Sequence, residues 1–429
     1  MDIEGDLLLA FAIDFVAVSI LAFLIYFPRH QRRDLVLAFL GVNAGLFAVA
    51  ELVADKEVNI ALGLGLFALL SVVRLRSAEI AQEDIGYYFI ALVLGLINGV
   101  AHEVSGLVIA PKTSGEQRPI FTWCHGTTGL GDAACPSAQP DPARELITYF
   151  QPEATQQIDY GVPGLQGFID DGWVVCSTDY QGLGTPGMHH YMINITNARD
   201  AVYLARAART LDVGAGTTLG CAGWSQGGGA AAAVAELDTE DFGELTLIGT
   251  VPMSPGVGRI ALEHPKSVTA ALTDPNIPPD SHLVMVLAAH YVANPAKLKL
   301  SEIFTQLGVE LVETAWNNQP VHHLNDMIAR MFRLKGAVLN PNPPNFAAWK
   351  DAIDAGSAAQ KKPIAPVLVC IDAFDDGTVV PVLWQTAYVD AAKKLGGTVQ
   401  TRDYPNDDHF SLPRSCVGDA RAWLNQLRA

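Results

Sequence analysis

Apolar residues run almost unbroken over residues 7–27, 35–54, 60–73 and 85–101, and the pattern then stops. A helix on a globular core shows a polar face with a period of 3.6 residues. These stretches are apolar nearly all round, and the longer ones reach the roughly 20 residues that a bilayer-spanning helix needs. They predict an all-α membrane domain over 1–103, with four transmembrane helices at about 7–27, 35–54, 58–75 and 85–101. The third is short, but the stems of Arg74 and Arg76 can snorkel to the membrane surface and lengthen it. Asp14, Asn43 and Asn98 inside the runs read as interhelical hydrogen-bonding groups. The acidic start, Met1-Asp2-Ile3-Glu4-Gly5-Asp6, is unlike the basic lead of a secretory signal. Arg29, Arg32 and Arg33 mark the first loop, and Arg74 and Arg76 mark the third. The second has only Lys56, between Asp55 and Glu57. Basic loops stay in the cytoplasm, so the chain should return to the outer side near His102. The expectation is a multi-pass membrane protein, in contact with membrane lipid, with everything after residue 103 extracytoplasmic.

From Ser105 the texture changes to short β-rich runs alternating with helical stretches, the signature of a mostly parallel sheet flanked by helices. Strands are predicted at 107–110, 120–124, 173–178, 218–222, 245–251, 367–371 and 398–404. Helices are predicted at 197–210, 226–236, 383–394 and 418–427. The stretch 256–362 breaks the alternation and reads as helical. An insertion of that length in a compact domain is usually a lid or binding element. The second predicted domain is therefore 104–429 with a lid insertion at about 256–362.

Composition narrows the function. Lys and Arg number 28 against 45 Asp and Glu, a net charge of −17 that argues against nucleic acid as a partner. Charged residues are only 17% and mean hydropathy is +0.22, as membrane-buried sequence requires. Six cysteines are too few for a disulfide scaffold in a chain of 429 residues. Cys124, Cys176, Cys221 and Cys370 fall in or at predicted strands and read as small hydrophobes. Cys135 and Cys416 fall in predicted loops and could pair outside the cytoplasm. His189-His190 and His322-His323 are adjacent pairs, a spacing unsuited to a metal, so no metal is expected.

The chemistry concentrates in a few residues. Gly223-Trp224-Ser225-Gln226-Gly227 fits G-x-S-x-G between an apolar strand and an Ala-rich helix, the context in which a sharp turn lifts a serine hydroxyl above a sheet edge. A serine needs a base, and the base a carboxylate to orient it. In this architecture the chain order is Ser, then Asp or Glu, then His. Only His409 follows the last β–α alternation. The acid candidates after the strand at 367–371 are Asp372, Asp375 and Asp376. Asp376 is preferred because Asp376-Gly377-Thr378-Val379 has a D-x-x-V spacing, and Asp375 is the alternative. Asp407 and Asp408 read as solvated loop charges. An oxyanion needs backbone N–H donors. Gln226 at the start of its helix is one candidate, and Thr127 in His125-Gly126-Thr127-Thr128-Gly129 is the other.

Taken together, Trp123-Cys124-His125-Gly126-Thr127-Thr128-Gly129, Cys135-Pro136-Ser137, Asp179-Tyr180-Gln181-Gly182-Leu183-Gly184 and Gly223-Trp224-Ser225-Gln226-Gly227-Gly228 resemble the secretory lipase family over about residues 104–429. The resemblance implies an α/β-hydrolase with a helical lid inserted before the acid. It also implies hydrolysis of carboxylic esters, acylglycerols among them, without a cofactor. Members usually begin with a signal peptide and a further strand, where this chain has apolar helices. Residues 1–100 resemble an uncharacterised bacterial family of integral-membrane domains, through the segment 65–77 and Tyr87-Tyr88-Phe89-Ile90-Ala91-Leu92. The competing classes are a non-catalytic hydrolase-fold membrane interaction protein and another acyl-transfer enzyme using the same triad.

Overall fold

The computed structural model describes residues 104–112, 115–154, 156–263, 276–373 and 379–428. The chain divides into two units at His102/Glu103, and the described residues belong to the second. The four spans predicted within 1–103 lie outside the described residues. No helix among the described residues is long and apolar enough to cross a membrane.

Seven strands form one sheet: β1 (Gly106–Ile109), β2 (Arg118–Cys124), β3 (Val174–Thr178), β4 (Ala215–Trp224), β5 (Thr246–Met253), β6 (Val367–Asp372) and β7 (Val399–Tyr404). Their order is β1-β3-β2-β4-β5-β6-β7. β1 runs antiparallel to β3, and the other pairs are parallel. Each strand predicted from the sequence is present, with ends shifted by a few residues. Sheet-flanking helices are α1 (Leu165–Asp170), α2 (Asn194–Ala208), α3 (Gln226–Val234), α8 (Val382–Lys394) and α9 (Leu412–Arg428). The insertion contributes α4 (Ser281–Ala293), α5 (Gln306–Ala315), α6 (Val321–Lys335) and α7 (Phe346–Ala355).

The central strands are buried on both faces and are apolar on both sides, whereas the edge strand β7 is largely exposed. Ile120 and Cys124 of β2 join Val174, Cys176, Val367 and Val369 in the layer beneath α2, α3 and α8. Phe121 and Trp123 of the same strand turn the other way, to Val175, Leu368 and Cys370 beneath α1 and α9. The insertion has a separate core, with Leu287, Leu311, Ile328 and Trp349 packed together. Leu130 and Tyr191 of the sheet domain enter that core. Backbone hydrogen bonds also tie insertion to sheet domain, among them Val321 N–H to Thr128 O at 2.8 Å, Ala133 N–H to Asn317 O at 3.2 Å and Ile195 N–H to Gly356 O at 3.2 Å.

The Cys135–Cys416 pairing does not form. All six cysteines are free and buried. Cys135 packs in the layer on one sheet face, and Cys416, on α9 rather than in a loop, packs in the other.

Candidate active site

Strand order places the site. β3 lies on one side of β2 and β4 on the other, so the connections leave the sheet in opposite directions at the β2/β4 boundary. The crevice at the carboxyl ends of strands there is where ligands bind in open α/β sheets. The register sets Cys124 of β2 against Gly223 of β4. The loop 125–129 and Ser225 therefore emerge side by side.

Ser225 adopts φ +61° and ψ −117°, a conformation that costs a non-glycine residue on the order of 1–3 kcal/mol. The turn is fixed on every side. Ser225 N–H donates to Met253 O at 3.0 Å, while Ser225 O accepts from Gly229 N–H at 3.1 Å and Gly256 N–H at 2.9 Å. Its glycines are steric necessities. A Cβ on Gly223 would strike the Gly227 carbonyl and the Cys124 side chain, and one on Gly227 would strike the Cys124 carbonyl. All of α3 is buried, and its run Gly227-Gly228-Gly229 lets it sit against backbone of the chain on both sides. The intrinsic cost of glycine in a helix, about 1 kcal/mol each, is offset by that packing.

His409 Nε2 lies 2.9 Å from Ser225 Oγ, and both side chains are buried. The imidazole is held from behind by Trp224, whose Nε1–H donates to His409 O at 2.7 Å. The loop is braced at Asp408, whose Oδ1 accepts from Phe410 N–H at 3.1 Å and Ser411 N–H at 2.8 Å. Asp407 accepts from Ser415 Oγ–H at 2.6 Å. These two aspartates are thus half-buried braces of the loop rather than the solvated charges expected from the sequence. On the far side of the ring, Nδ1 faces Ser254 Oγ at 3.0 Å and Asp372 Oδ2 at 3.8 Å. Asp372 is fully buried at the end of β6, and its Oδ1 accepts from Gln385 Nε2–H. The preferred acid Asp376 and the alternative Asp375 lie outside the described residues. Ser254 carries no signal that sequence reasoning recognised.

Thr127 and Gln226 are both buried at this corner. Gln226 opens α3, where a backbone N–H has no partner within the helix. Its side chain is locked: Nε2 donates to His189 Nε2 at 2.6 Å and to Asn197 Oδ1 at 3.3 Å. His189 donates from Nδ1 to Gln181 O at 2.9 Å. Burial pushes the His189 imidazole down to about 3, so it stays neutral and can accept from Gln226. The other histidine pair also has a packing role, since His322 stacks on Tyr149 at 3.4 Å between ring centres. Among the described residues no cluster of three or more His, Cys, Asp or Glu side chains could hold a metal ion.

The remaining motifs interlock behind the loop 125–129. Asp179 accepts from Ser105 Oγ–H at 2.9 Å, Ser137 N–H at 2.8 Å and Ser137 Oγ–H at 2.6 Å. Tyr180 OH donates to His125 O at 3.0 Å. Gly126 leaves room for the Trp224 ring, which a Cβ would approach to 2.6 Å.

Residues 150–260 match the secretory lipase family, and residues 14–113 match a domain family of unknown function (DUF4956). No curated protein matches the chain in sequence. Among solved structures, the rice cell wall degrading esterase LipA of Xanthomonas oryzae is 20% identical with a TM-score of 0.52, over 75% of this chain and 86% of that one. Lipase A of Candida antarctica in its closed state is 14% identical with a TM-score of 0.54, over 76% and 73%. These likenesses establish the α/β-hydrolase fold. The family match falls on the stretch that carries Asp179-Tyr180-Gln181-Gly182 and the Ser225 turn, so the second unit of this chain is similar to secretory lipases there and is a lipase- or esterase-type carboxylic ester hydrolase.

Proposed function

We propose that the chain is a membrane-tethered serine hydrolase that cleaves carboxylic esters, acylglycerols among them, through an acyl-enzyme. Ser225 Oγ attacks the ester carbonyl while His409 Nε2 takes its proton. The carbonyl oxygen becomes an anion held by the backbone N–H groups of Thr127 and Gln226. His409 then protonates the leaving alcohol, and water removes the acyl group by the same route. Each oxyanion donor contributes about 10²–10³ in rate. The observation that carries this reading is the 2.9 Å contact between Ser225 Oγ and His409 Nε2 at a strained strand-to-helix turn. No step calls for a cofactor.

The imidazolium needs a carboxylate on its Nδ1 side. Asp372 is favoured by its position 3.8 Å from Nδ1. Asp376 is the second reading, because 3.8 Å exceeds a hydrogen bond and the D-x-x-V spacing singles Asp376 out. Tethering, and a position outside the cytoplasm, rest on the apolar runs of residues 1–103 and on the arginines of their first and third loops.

A membrane-impermeant fluorophosphonate probe tests the proposal on intact cells and on inverted membrane vesicles. Labelling of intact cells that disappears in Ser225→Ala, together with loss of p-nitrophenyl ester turnover, is expected. Labelling only in inverted vesicles would reverse the topology. Equal turnover by Ser225→Ala would remove the mechanism, and folded wild-type protein that takes no label would point instead to a non-catalytic binding protein.

A further inference from the structure

Ser254 follows the last residue of β5 and is completely buried. Its φ is +44°, in the left-handed region that glycine enters freely and serine does not. The β5–β6 register sets Met253 beside Cys370, and Ser254 N–H donates to Cys370 O at 3.0 Å. The side chain is thereby delivered to the face of His409 turned away from the nucleophile. Of the two oxygens near Nδ1 among the described residues, only Ser254 Oγ, at 3.0 Å, is within hydrogen-bonding distance. Asp372 Oδ2 stands at 3.8 Å on the same side.

The tautomer follows from charge. A carboxylate beside Nδ1 favours a proton there, and Gln385 occupies the other oxygen of Asp372. Nδ1–H is then the donor and Ser254 Oγ the acceptor. With its proton on Nδ1, the ring presents the Nε2 lone pair to Ser225 Oγ–H, as proton abstraction requires. A hydroxyl therefore stands at a backbone position where glycine would be the least strained choice, and its oxygen occupies the one atom of the imidazole that must not turn away.

We propose that Ser254 is a positioning residue of the hydrolase: its hydroxyl oxygen accepts the Nδ1–H of His409 and holds the ring with Nε2 aimed at Ser225. The proposal rests on the serine-hydrolase reading above and adds a group to it that touches neither substrate nor the reacting atoms. The contact is made by Ser254 itself, and the nearby charge that favours the proton on Nδ1 is that of Asp372.

Ser254→Gly and Ser254→Ala both remove the hydroxyl but differ in backbone cost, since glycine relieves the positive φ and alanine does not. Full-length wild type and both variants are compared for p-nitrophenyl butyrate kinetics, fluorophosphonate labelling rate and melting temperature, with Ser225→Ala as the inactive control. Activity should follow the hydroxyl, while stability should follow φ. Both variants are expected to lose about 10- to 100-fold in kcat and in labelling rate, with KM little changed. Ser254→Gly should melt no lower than Ser254→Ala. The acid side of the kcat/KM profile should also move to lower pH in Ser254→Gly, because an acceptor for the charged ring has gone. A folded Ser254→Gly enzyme with wild-type kcat and an unmoved pH profile would overturn the proposal while leaving the parent reading intact. Wild-type protein that neither labels nor turns over would overturn both. If Ser254→Ala fails to fold, Ser254→Gly decides alone.

Discussion

The carboxyl ends of β4 and β6 both serve the same imidazole, and they are built in opposite ways. At the end of β4, Ser225 is held by backbone. Its N–H and O are bonded, its φ is forced positive, and the glycines two residues to either side have no space for a methyl group. At the end of β6, what is required is a negative charge near Nδ1. Asp372 Oδ2 stands 3.8 Å from Nδ1 and Ser254 Oγ 3.0 Å, and two more aspartates follow within four residues. The first requirement is steric and admits one arrangement. The second is electrostatic, falls off slowly with distance, and can be met by a carboxylate from more than one position.

The largest expected effect breaks the steric side. Gly227→Ala places a Cβ against the Cys124 carbonyl, a backbone atom of a central strand that has nowhere to retreat. We expect a loss of more than about 4 kcal/mol, the range of severe overpacking and backbone defects, read as insoluble protein or a collapsed melting temperature. Normal melting and turnover would show that the corner can relax and that the glycines are not demanded by packing.

The electrostatic side is sharpened by paired neutralisations. Asp372→Asn and Asp376→Asn keep side-chain volume and remove charge. The one that orients His409 should lose about 10²–10⁴ in kcat/KM, and the other should stay within a few-fold of wild type. Equal small losses, with a large loss only in the double variant, would mean that the two carboxylates substitute for one another. That result would be the strongest form of the contrast with β4.

This contrast also explains what could be read from the sequence. The central strands were legible because both of their faces are buried, leaving continuous apolar runs bounded by turn residues. Ser225 was legible because sterics near a strained turn restrict its neighbours to glycine, and His409 because chain order left one histidine after the last strand but one helix. Asp372 stood among three acid candidates, and Asp376, which the D-x-x-V spacing prefers, falls outside the described residues, so the choice between them is left to the paired variants. Ser254 was invisible. A serine at a strand end carries no periodic or compositional mark, and its role exists only once β5 has been laid beside β6. The same holds for His189, which in sequence is half of a histidine pair unsuited to metal and in space is the acceptor that fixes Gln226. The helices of the insertion were predicted only as a helical stretch, because their partner surfaces, Leu130 and Tyr191 among them, lie far away in the chain.

The domain buries other carboxyls besides Asp372, and Asp159 is one of them. Asp159 is buried, and burial pushes it up to about 7, only partly opposed by the Tyr149 N–H at 2.7 Å and the more remote charge of His282. An unfolded aspartate ionises near about 4. Between those two values the unfolded chain has released a proton that the folded chain keeps, so stability falls as pH rises through about 4 to 7 and is level above it. Asp159→Asn keeps an oxygen to accept from Tyr149 N–H and removes the ionisation. The variant should therefore gain melting temperature at pH 8, by several °C at about 2–4 °C per kcal/mol for a domain of this size, and should gain little at pH 4. Tyr149 and Phe150 stack on His322 of α6, and Phe150 also packs on Phe410 beside His409. Asp159 thus anchors a segment that touches both the insertion and the loop of His409, but it makes no contact with Ser225 or His409, so kcat should change by no more than a few-fold. A melting gain of equal size at pH 4 and pH 8 would mean that the carboxyl never carries the ionisation cost.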